Sequence, residues 1–306
     1  MSKVNVFICT KDRAGLIEIA VNSLLNQTFD DYKILTCDDH SIDFSQEKLY
    51  NLQMKTDAKL VSWVMEQEEG YVNTHNFILS KIDDDCEYFC FIDSDDVVDE
   101  NKLKYQVEYL ESHPDIDVVS SCVAFTDKRI LVNTYVELNN EQIVEGLKKD
   151  MPITIITHFQ TCMFRRRVLD KFVNGKYFYN EYDAGMCGEG FLYTLHFLGY
   201  KFANIPTTIY LYRRGIAKNS MSNNIVPEFA NAINSLSYEN KREYIMDLFN
   251  KYNGKPIKKK TSKKKIEKKE EDENPKVEVL DEVKVEEPVV EEASKKKRGR
   301  PKKTQE

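Results

Sequence analysis

Val4-Asn5-Val6-Phe7-Ile8-Cys9 runs directly into Thr10-Lys11-Asp12-Arg13. A continuous apolar run of this length fits a strand buried on both faces, as in a parallel sheet. Ala14–Asn26 follows with helical spacing of Leu16, Ile19, Ala20, Ser23 and Leu24. Further out, Tyr32–Cys37, Lys59–Met65, Glu87–Ile92 and Asp117–Phe125 read as strands. Between them, Tyr71–Ile82 places Phe77, Ile78 and Ile82 on one helical face, and Lys102–Ser112 gives a second helix. This β-α-β alternation predicts an α/β fold with a largely parallel sheet.

In an open α/β sheet, ligands bind beyond the carboxyl ends of the strands. Three loops at those ends carry polar clusters: Thr10-Lys11-Asp12-Arg13, Asp38-Asp39-His40-Ser41 and Asp93-Ser94-Asp95-Asp96. No Gly-x-Gly-x-x-Gly follows the first strand and no Gly-x-x-x-x-Gly-Lys-Ser/Thr occurs anywhere, so a Rossmann dinucleotide site and a P-loop are unsupported. Carboxylates packed this closely repel one another unless a cation joins them. Mg²⁺ typically bridges one or two carboxylates to substrate phosphates, and Lys11 and Arg13 add positive charge beside the same rim. The competing reading of Asp93–Asp96 is a cap for the helix that begins near Asn101.

Charge divides the chain of 306 residues. Residues 255–306 carry 18 basic and 13 acidic side chains, whereas residues 1–254 carry a net charge of −12 and all 34 aromatic residues. Only ten of the last 52 residues are apolar, too few to offset ordering entropy, so this tail is expected to be disordered. Its end, Lys295-Lys296-Lys297-Arg298-Gly299-Arg300-Pro301-Lys302-Lys303, resembles the AT-hook, whose arginines enter the narrow minor groove of A·T-rich DNA. A solvated polycation adhering weakly to any polyanion is the alternative. Before the tail, Pro227–Tyr252 has helical spacing, with Gly254 as its stop. No apolar run is long enough to span a membrane and no signal-peptide pattern opens the sequence, so a cytoplasmic location is expected. The seven cysteines are odd in number and mostly sit in apolar runs, which predicts buried thiols in a reducing compartment. Cys86 and Cys90, with no further Cys or His pair nearby, do not make a zinc site.

The block Val4–Arg13, then Ser23–Ile34, then Asp38-Asp39-His40-Ser41, resembles the opening of family 2 glycosyltransferases. Gly70 and Asn76 fall where that family has a glycine and an asparagine, and Phe91-Ile92-Asp93-Ser94-Asp95-Asp96 is similar to its Asp-x-Asp element. The resemblance extends to about Arg214. It implies a GT-A fold and an inverting, nucleotide-sugar-dependent enzyme assisted by Mn²⁺ or Mg²⁺. It also implies a transferase domain over 1–226, with a nucleotide-binding half (1–126) and an acceptor half (127–226), ahead of the helix at 227–254 and the tail at 255–306.

Roles follow from the matching positions. Asp39 would accept the ring N–H of uracil, Asp95 would bind the metal, and Asp93 would face the donor ribose or the metal. Thr10, Asp12 and Arg13 lie on the nucleotide rim, and Arg213 or Arg214 would clamp the diphosphate beside a loop at Gly215–Asn224. Cys9 stands where proline is usual and Lys11 where tyrosine is usual. In Cys187-Gly188-Glu189-Gly190, Glu189 aligns with the catalytic base, although the acidic residue that many members carry at the next position is Gly190 here; Asp183 is the reserve. A carboxylate suits the task, since the acceptor hydroxyl must lose a proton as it attacks. His158 is expected to be a satisfied interior histidine. The implied reaction moves a sugar from a UDP-sugar to a carbohydrate or glycoconjugate. An inactive binding module, or a transferase directed to DNA by the tail, are the rivals.

Overall fold

The computed structural model describes residues 2–127, 130–133, 138–153, 157–180, 187–213 and 235–254, with backbone alone at 125–127 and 130–133. Among these residues, nine strands form one mixed sheet in the order β3-β2-β1-β4-β8-β6-β9-β5, with β7 (Ile130–Asn133) paired to β6. Its first half is the parallel set expected from the apolar runs: β1 (Val4–Thr10), β2 (Tyr32–Asp38), β3 (Leu60–Val64) and β4 (Tyr88–Phe91). The remainder departs from a parallel sheet. The short β8 (Met163–Arg165) inserts antiparallel between β4 and β6 (Val118–Asp127), and β9 (Phe202–Tyr212) then runs parallel to β6. The two-residue β5 (Val97–Val98) pairs antiparallel with β9. The loop Ile92–Asp96 thus carries the chain from the fourth strand of the order to the last.

Strand alternation sorts the apolar residues onto two faces. Val4, Val6 and Ile8 join one core with Ile17, Val21 and Leu24 of α1 (Ile17–Leu25) and Leu103, Val107 and Leu110 of α4 (Lys102–Ser112). Phe7, Cys37, Phe89 and Phe91 join the other, with Ile78 of α3 (Tyr71–Leu79), Phe191 of α6 (Cys187–Phe197) and Phe249 of α7 (Tyr238–Asn253). Helix α1 starts later than its apolar spacing suggests, because the backbone at Arg13–Leu16 forms a turn stitched to the neighbouring loop. Two helices lie outside the periods read from the sequence. In α2 (Ser45–Gln53) only Ser45, Leu49 and Leu52 are buried, and in α5 (Asn140–Lys148) only Ile143 and Leu147. Helix α5 is instead fixed by a capping box between Asn139 and Gln142.

Helix α7 covers the second half of the expected 227–252 helix; residues 227–234 lie outside the described residues, as do Asp183, Arg214, the loop Gly215–Asn224 and the whole tail. Gly254 does end α7, but at φ −68°, so no left-handed cap is made there. None of the seven cysteines is in a disulfide and only Cys9 is incompletely buried. Among the described residues no helix is long and apolar enough to cross a membrane.

Candidate functional site

The polar clusters meet at the carboxyl ends of β1, β2 and β4. The loops after β1 and β2 are laced together by side chain to backbone bonds. Asp12 N donates to Ser41 Oγ (2.8 Å) and Ile42 N to Asp12 Oδ1 (2.8 Å), with Arg13 N on Ser45 Oγ (2.9 Å) and Ala14 N on Asp43 Oδ2 (2.8 Å). This lacing holds Asp12 and His40 at positive φ, 51° and 56°, a conformation that Asp and His adopt more readily than most residues. Lys11 turns onto His40 O (2.8 Å) and Glu68 (3.2 Å), so its ammonium braces the loops.

Asp39 is buried and accepts Glu69 N (2.8 Å) on one carboxylate oxygen and Gly70 N (3.0 Å) on the other. Each oxygen keeps a second lone pair, so the carboxylate can still take a ligand N–H. Gly70 sits at φ 81° before α3, a left-handed position that glycine occupies without penalty. Asn76, on α3, receives Tyr177 N (2.8 Å) and Phe178 N (3.0 Å) and donates to Phe178 O (2.9 Å), which ties α3 to the segment that precedes α6. Two buried polar atoms on registered neighbours, Thr10 Oγ1 and Asp38 Oδ2, have no hydrogen-bond partner.

The loop Asp93–Asp96 brings three carboxylates together, with one oxygen from each of Asp93, Asp95 and Asp96 within 4.8 Å of the others. Burial, then the charges of Asp96 and Asp95, push the Asp93 carboxyl well above its usual range, against a hydrogen bond from Gln160. Burial chiefly pushes Asp96 up to about 7, with Asp95 adding to it and Arg213 N opposing it. The nearest cations are Arg13, whose Nε lies 3.7 Å from Asp95 Oδ2, and Arg213, whose Nε donates to Asp95 O. Arg213 Nη2 is buried without a hydrogen-bond partner among the described residues. Three carboxylates held this close fit a hard divalent cation bound by oxygen ligands.

Glu189 lies in the first turn of α6, and its charge is felt at both Asp93 and Tyr71. Burial pushes its carboxyl up to about 7, opposed by a backbone hydrogen bond at the helix start. Tyr71 lies between them electrostatically: burial and the charges of Asp93, Cys187, Cys9 and Glu189 hold its hydroxyl protonated. Asp39, Asp93, Asp95, Arg13, Arg213 and Glu189 thus occupy one region. His158 sits edge-on to Tyr212, with ring centroids 5.8 Å apart.

Comparison with known proteins decides the family. The sequence model of Glycosyl transferase family 2 matches residues 5–173, more than half of the chain. The chain belongs to glycosyl transferase family 2. The bifunctional glycosyltransferase pgtA of Dictyostelium discoideum is 26% identical over 115 residues, 37% of this chain and 15% of that protein. An uncharacterized glycosyltransferase of Haemophilus influenzae is 25% identical over 118 residues, 39% of this chain and 36% of that protein. The family 2 chain therefore spans well under half the length of these relatives. Its fold matches S. aureus TarS 1–349 in complex with UDP-GlcNAc, with TM-score 0.60, 17% identity and coverage of 76% and 64% of the two chains. It also matches the mannosyltransferase PcManGT of Pyrobaculum calidifontis in complex with GDP-Man and Mn²⁺, with TM-score 0.55, 17% identity and coverage of 79% and 64%. These are GT-A architectures, as the opening motif implied.

Four residues of this family 2 domain carry weight that their sequence did not announce: Gln160, Tyr71, Tyr210 and Asp96. Gln160 and Tyr210 are isolated polar or aromatic positions far along the chain from Asp93, and only the fold brings them to it. Asp96 was visible as the last acid of its cluster, but not what its oxygens do.

Proposed function

We propose that the chain is an inverting transferase that moves a sugar from a nucleotide-diphospho-sugar, of the UDP type, to a hydroxyl of a carbohydrate or glycoconjugate. Glu189 carries this reading: a carboxylate pushed up to about 7 by burial, whose charge reaches Asp93, is matched to accepting a proton near neutrality. Asp93 and Asp95 would hold Mn²⁺ or Mg²⁺, which when bound supplies neutralising charge for the departing diphosphate.

The chain's own groups do the rest. Asp39 accepts the imide N–H of the base, and Thr10 and the laced Asp12 loop form the nucleotide rim. Arg13 and Arg213 face the diphosphate, where a guanidinium can make paired bonds to phosphate oxygens. Glu189 takes the acceptor proton as the acceptor oxygen bonds to the anomeric carbon. The bond from that carbon to the diphosphate oxygen breaks on the opposite side, and the configuration inverts. Solved neighbours with UDP-GlcNAc and with GDP-Man and Mn²⁺ support the donor class.

Calorimetric titration of UDP with and without Mn²⁺, on wild type and Asp95→Ala, tests the donor half. Metal-dependent binding that disappears in the variant is expected, and no binding of UDP to wild type in either condition would overturn the nucleotide. Donor hydrolysis without acceptor separates an enzyme from the inactive module that Gly190 allows. The tail motif at 295–303 favours a second reading, in which the body is delivered to A·T-rich DNA. Deleting 255–306 should then abolish DNA binding and leave sugar transfer intact.

A further inference from the structure

The three carboxylates of the Asp93–Asp96 loop are not equivalent. Asp96 is 1% exposed and both its oxygens are already engaged. Oδ2 accepts the Tyr210 hydroxyl at 2.8 Å and Oδ1 accepts Arg213 N at 2.8 Å. The Tyr210 hydroxyl also accepts Asp93 N at 3.2 Å, so one buried oxygen bridges the first and last residues of the loop. Arg213 Nε adds a bond to Asp95 O. The backbone continues the attachment: Val97 and Val98 pair with Leu211 and Tyr210, and Asp99 N donates to Ile209 O. The loop therefore takes its shape from the end of β9, over a hundred residues along the chain.

From this we infer that Tyr210 and Asp96 are positioning residues. Asp96, the most buried of the three, serves as a latch to β9 rather than as a ligand of the cation, and the latch sets the separation and aim of Asp93 and Asp95 toward a cation–diphosphate pair. The inference rests on the donor reading given above. Removing the Tyr210 hydroxyl leaves Asp96 Oδ2 and Asp93 N buried and unpaired, a state that structures avoid by shifting the backbone. Such a shift acts on Asp93 and Asp95 and spares Asp39, whose carboxylate is fixed by Glu69 N and Gly70 N on another loop.

The test compares Tyr210→Phe, Asp96→Asn and Asp95→Ala. Amide hydrogen exchange without any ligand reads the latch directly. Peptides covering 92–98 should exchange at least tenfold faster in Tyr210→Phe than in wild type, while peptides of β1 and β2 stay unchanged and report an intact fold. Wild-type protection of 92–98 in Tyr210→Phe would overturn the latch, whether or not any nucleotide binds. Titration of UDP over a range of Mn²⁺ reads the positioning. Tyr210→Phe and Asp96→Asn should each raise the Mn²⁺ concentration for half-maximal UDP binding tenfold or more and recover at excess Mn²⁺. Asp95→Ala should not recover. If Asp96→Asn matches Asp95→Ala while Tyr210→Phe matches wild type, Asp96 is itself a ligand and the proposal falls. If wild type binds no UDP, the donor reading fails and the exchange result still decides the latch.

Discussion

Gly188 stands one residue before the proposed base, and an alanine there would drive its methyl into Phe159. A Cβ at Gly188 would lie 2.5 Å from Phe159 Cγ, 2.6 Å from Cδ1 and 2.9 Å from Cβ. Ordinary contact needs roughly another ångström. Phe159 cannot supply it by rotation, since its ring is caged by Phe91, Phe164, Phe178 and Phe191 at centroid distances of 5.3, 5.9, 6.0 and 6.3 Å. Either the 3₁₀ turn Phe159–Thr161 or the start of α6 must move. Overpacking of this kind costs about 1–3 kcal/mol. The gain from replacing a helical glycine is at most about 1 kcal/mol and smaller in a first turn. A net loss of about 1–2 kcal/mol lowers Tm by about 2–8 °C in a domain of this size. The effect on turnover should be larger, because the displaced segments carry Gln160, which bonds Asp93, and Glu189. Misplacement by about 1 Å can cost a hundredfold in rate. Scanning calorimetry and a sugar-transfer assay on Gly188→Ala measure both, and Phe159→Leu in the same chain should restore much of the stability. A variant with wild-type Tm and wild-type turnover would refute the argument that this contact sets the spacing between turn and helix.

Three further outcomes are expected. Turnover should rise with pH through an acid limb near 7, where Glu189 loses its proton, and Glu189→Gln should lack activity at every pH. The same raised carboxyl contributes its full stability below about 4.5, its unfolded value, and that contribution is lost as pH rises from there through about 7, so Glu189→Gln should unfold later than wild type at pH 8, by up to about 3 kcal/mol in urea titration; equal midpoints would refute the burial argument. His75 and His196 have the opposite sign. Burial lowers each to about 4 from 6.5, so stability is complete above 6.5 and falls as pH drops toward 4, by about 2 kcal/mol per histidine at pH 5. Between pH 4.5 and 6.5 the two histidines together gain stability faster than Glu189 loses it, so unfolding titrations should show stability rising from pH 4 to a plateau near pH 7, and a fall between pH 5 and 6.5 would contradict the assignment. Burial holds the Cys9, Cys37, Cys90 and Cys162 thiols well above their usual range, so a disulfide reagent should modify the native protein slowly, with Cys9 first only because it is the one incompletely buried, as read by peptide mapping.

The parallel half of the fold was legible because its strands are buried on both faces, and Val4–Cys9 or Glu87–Ile92 can pack nowhere else. The mixed half was not. A three-residue strand such as Met163–Arg165 and a two-residue strand such as Val97–Val98 leave no periodic trace, and their partners are set by distant chain. Helix α2 shows only two apolar residues to the core, too few for a period. The rim acids could be read as a cluster because three strands deliver them to one edge. What each acid does could not be read, since Asp38, Asp39, Asp93 and Asp96 look alike in sequence and differ only in the donors that the fold brings to them.

Those donors sort the acids by role. Asp12 and Asp43 are engaged by the backbone amides of neighbouring loops and shape the rim. Asp96 is engaged by a hydroxyl and an amide and fastens the loop to β9. Asp39 takes one amide on each oxygen, which fixes its direction and leaves one lone pair per oxygen toward a ligand. Among the described residues, Asp93 receives a side-chain amide from Gln160 and Asp95 a guanidinium at 3.7 Å. A carboxylate that the protein leaves unsatisfied beside two others costs free energy in the unliganded fold. Binding a cation and its diphosphate removes that cost, so the affinity of the proposed donor site comes from the bonds the loop withholds from Asp93 and Asp95 as much as from those that shape it.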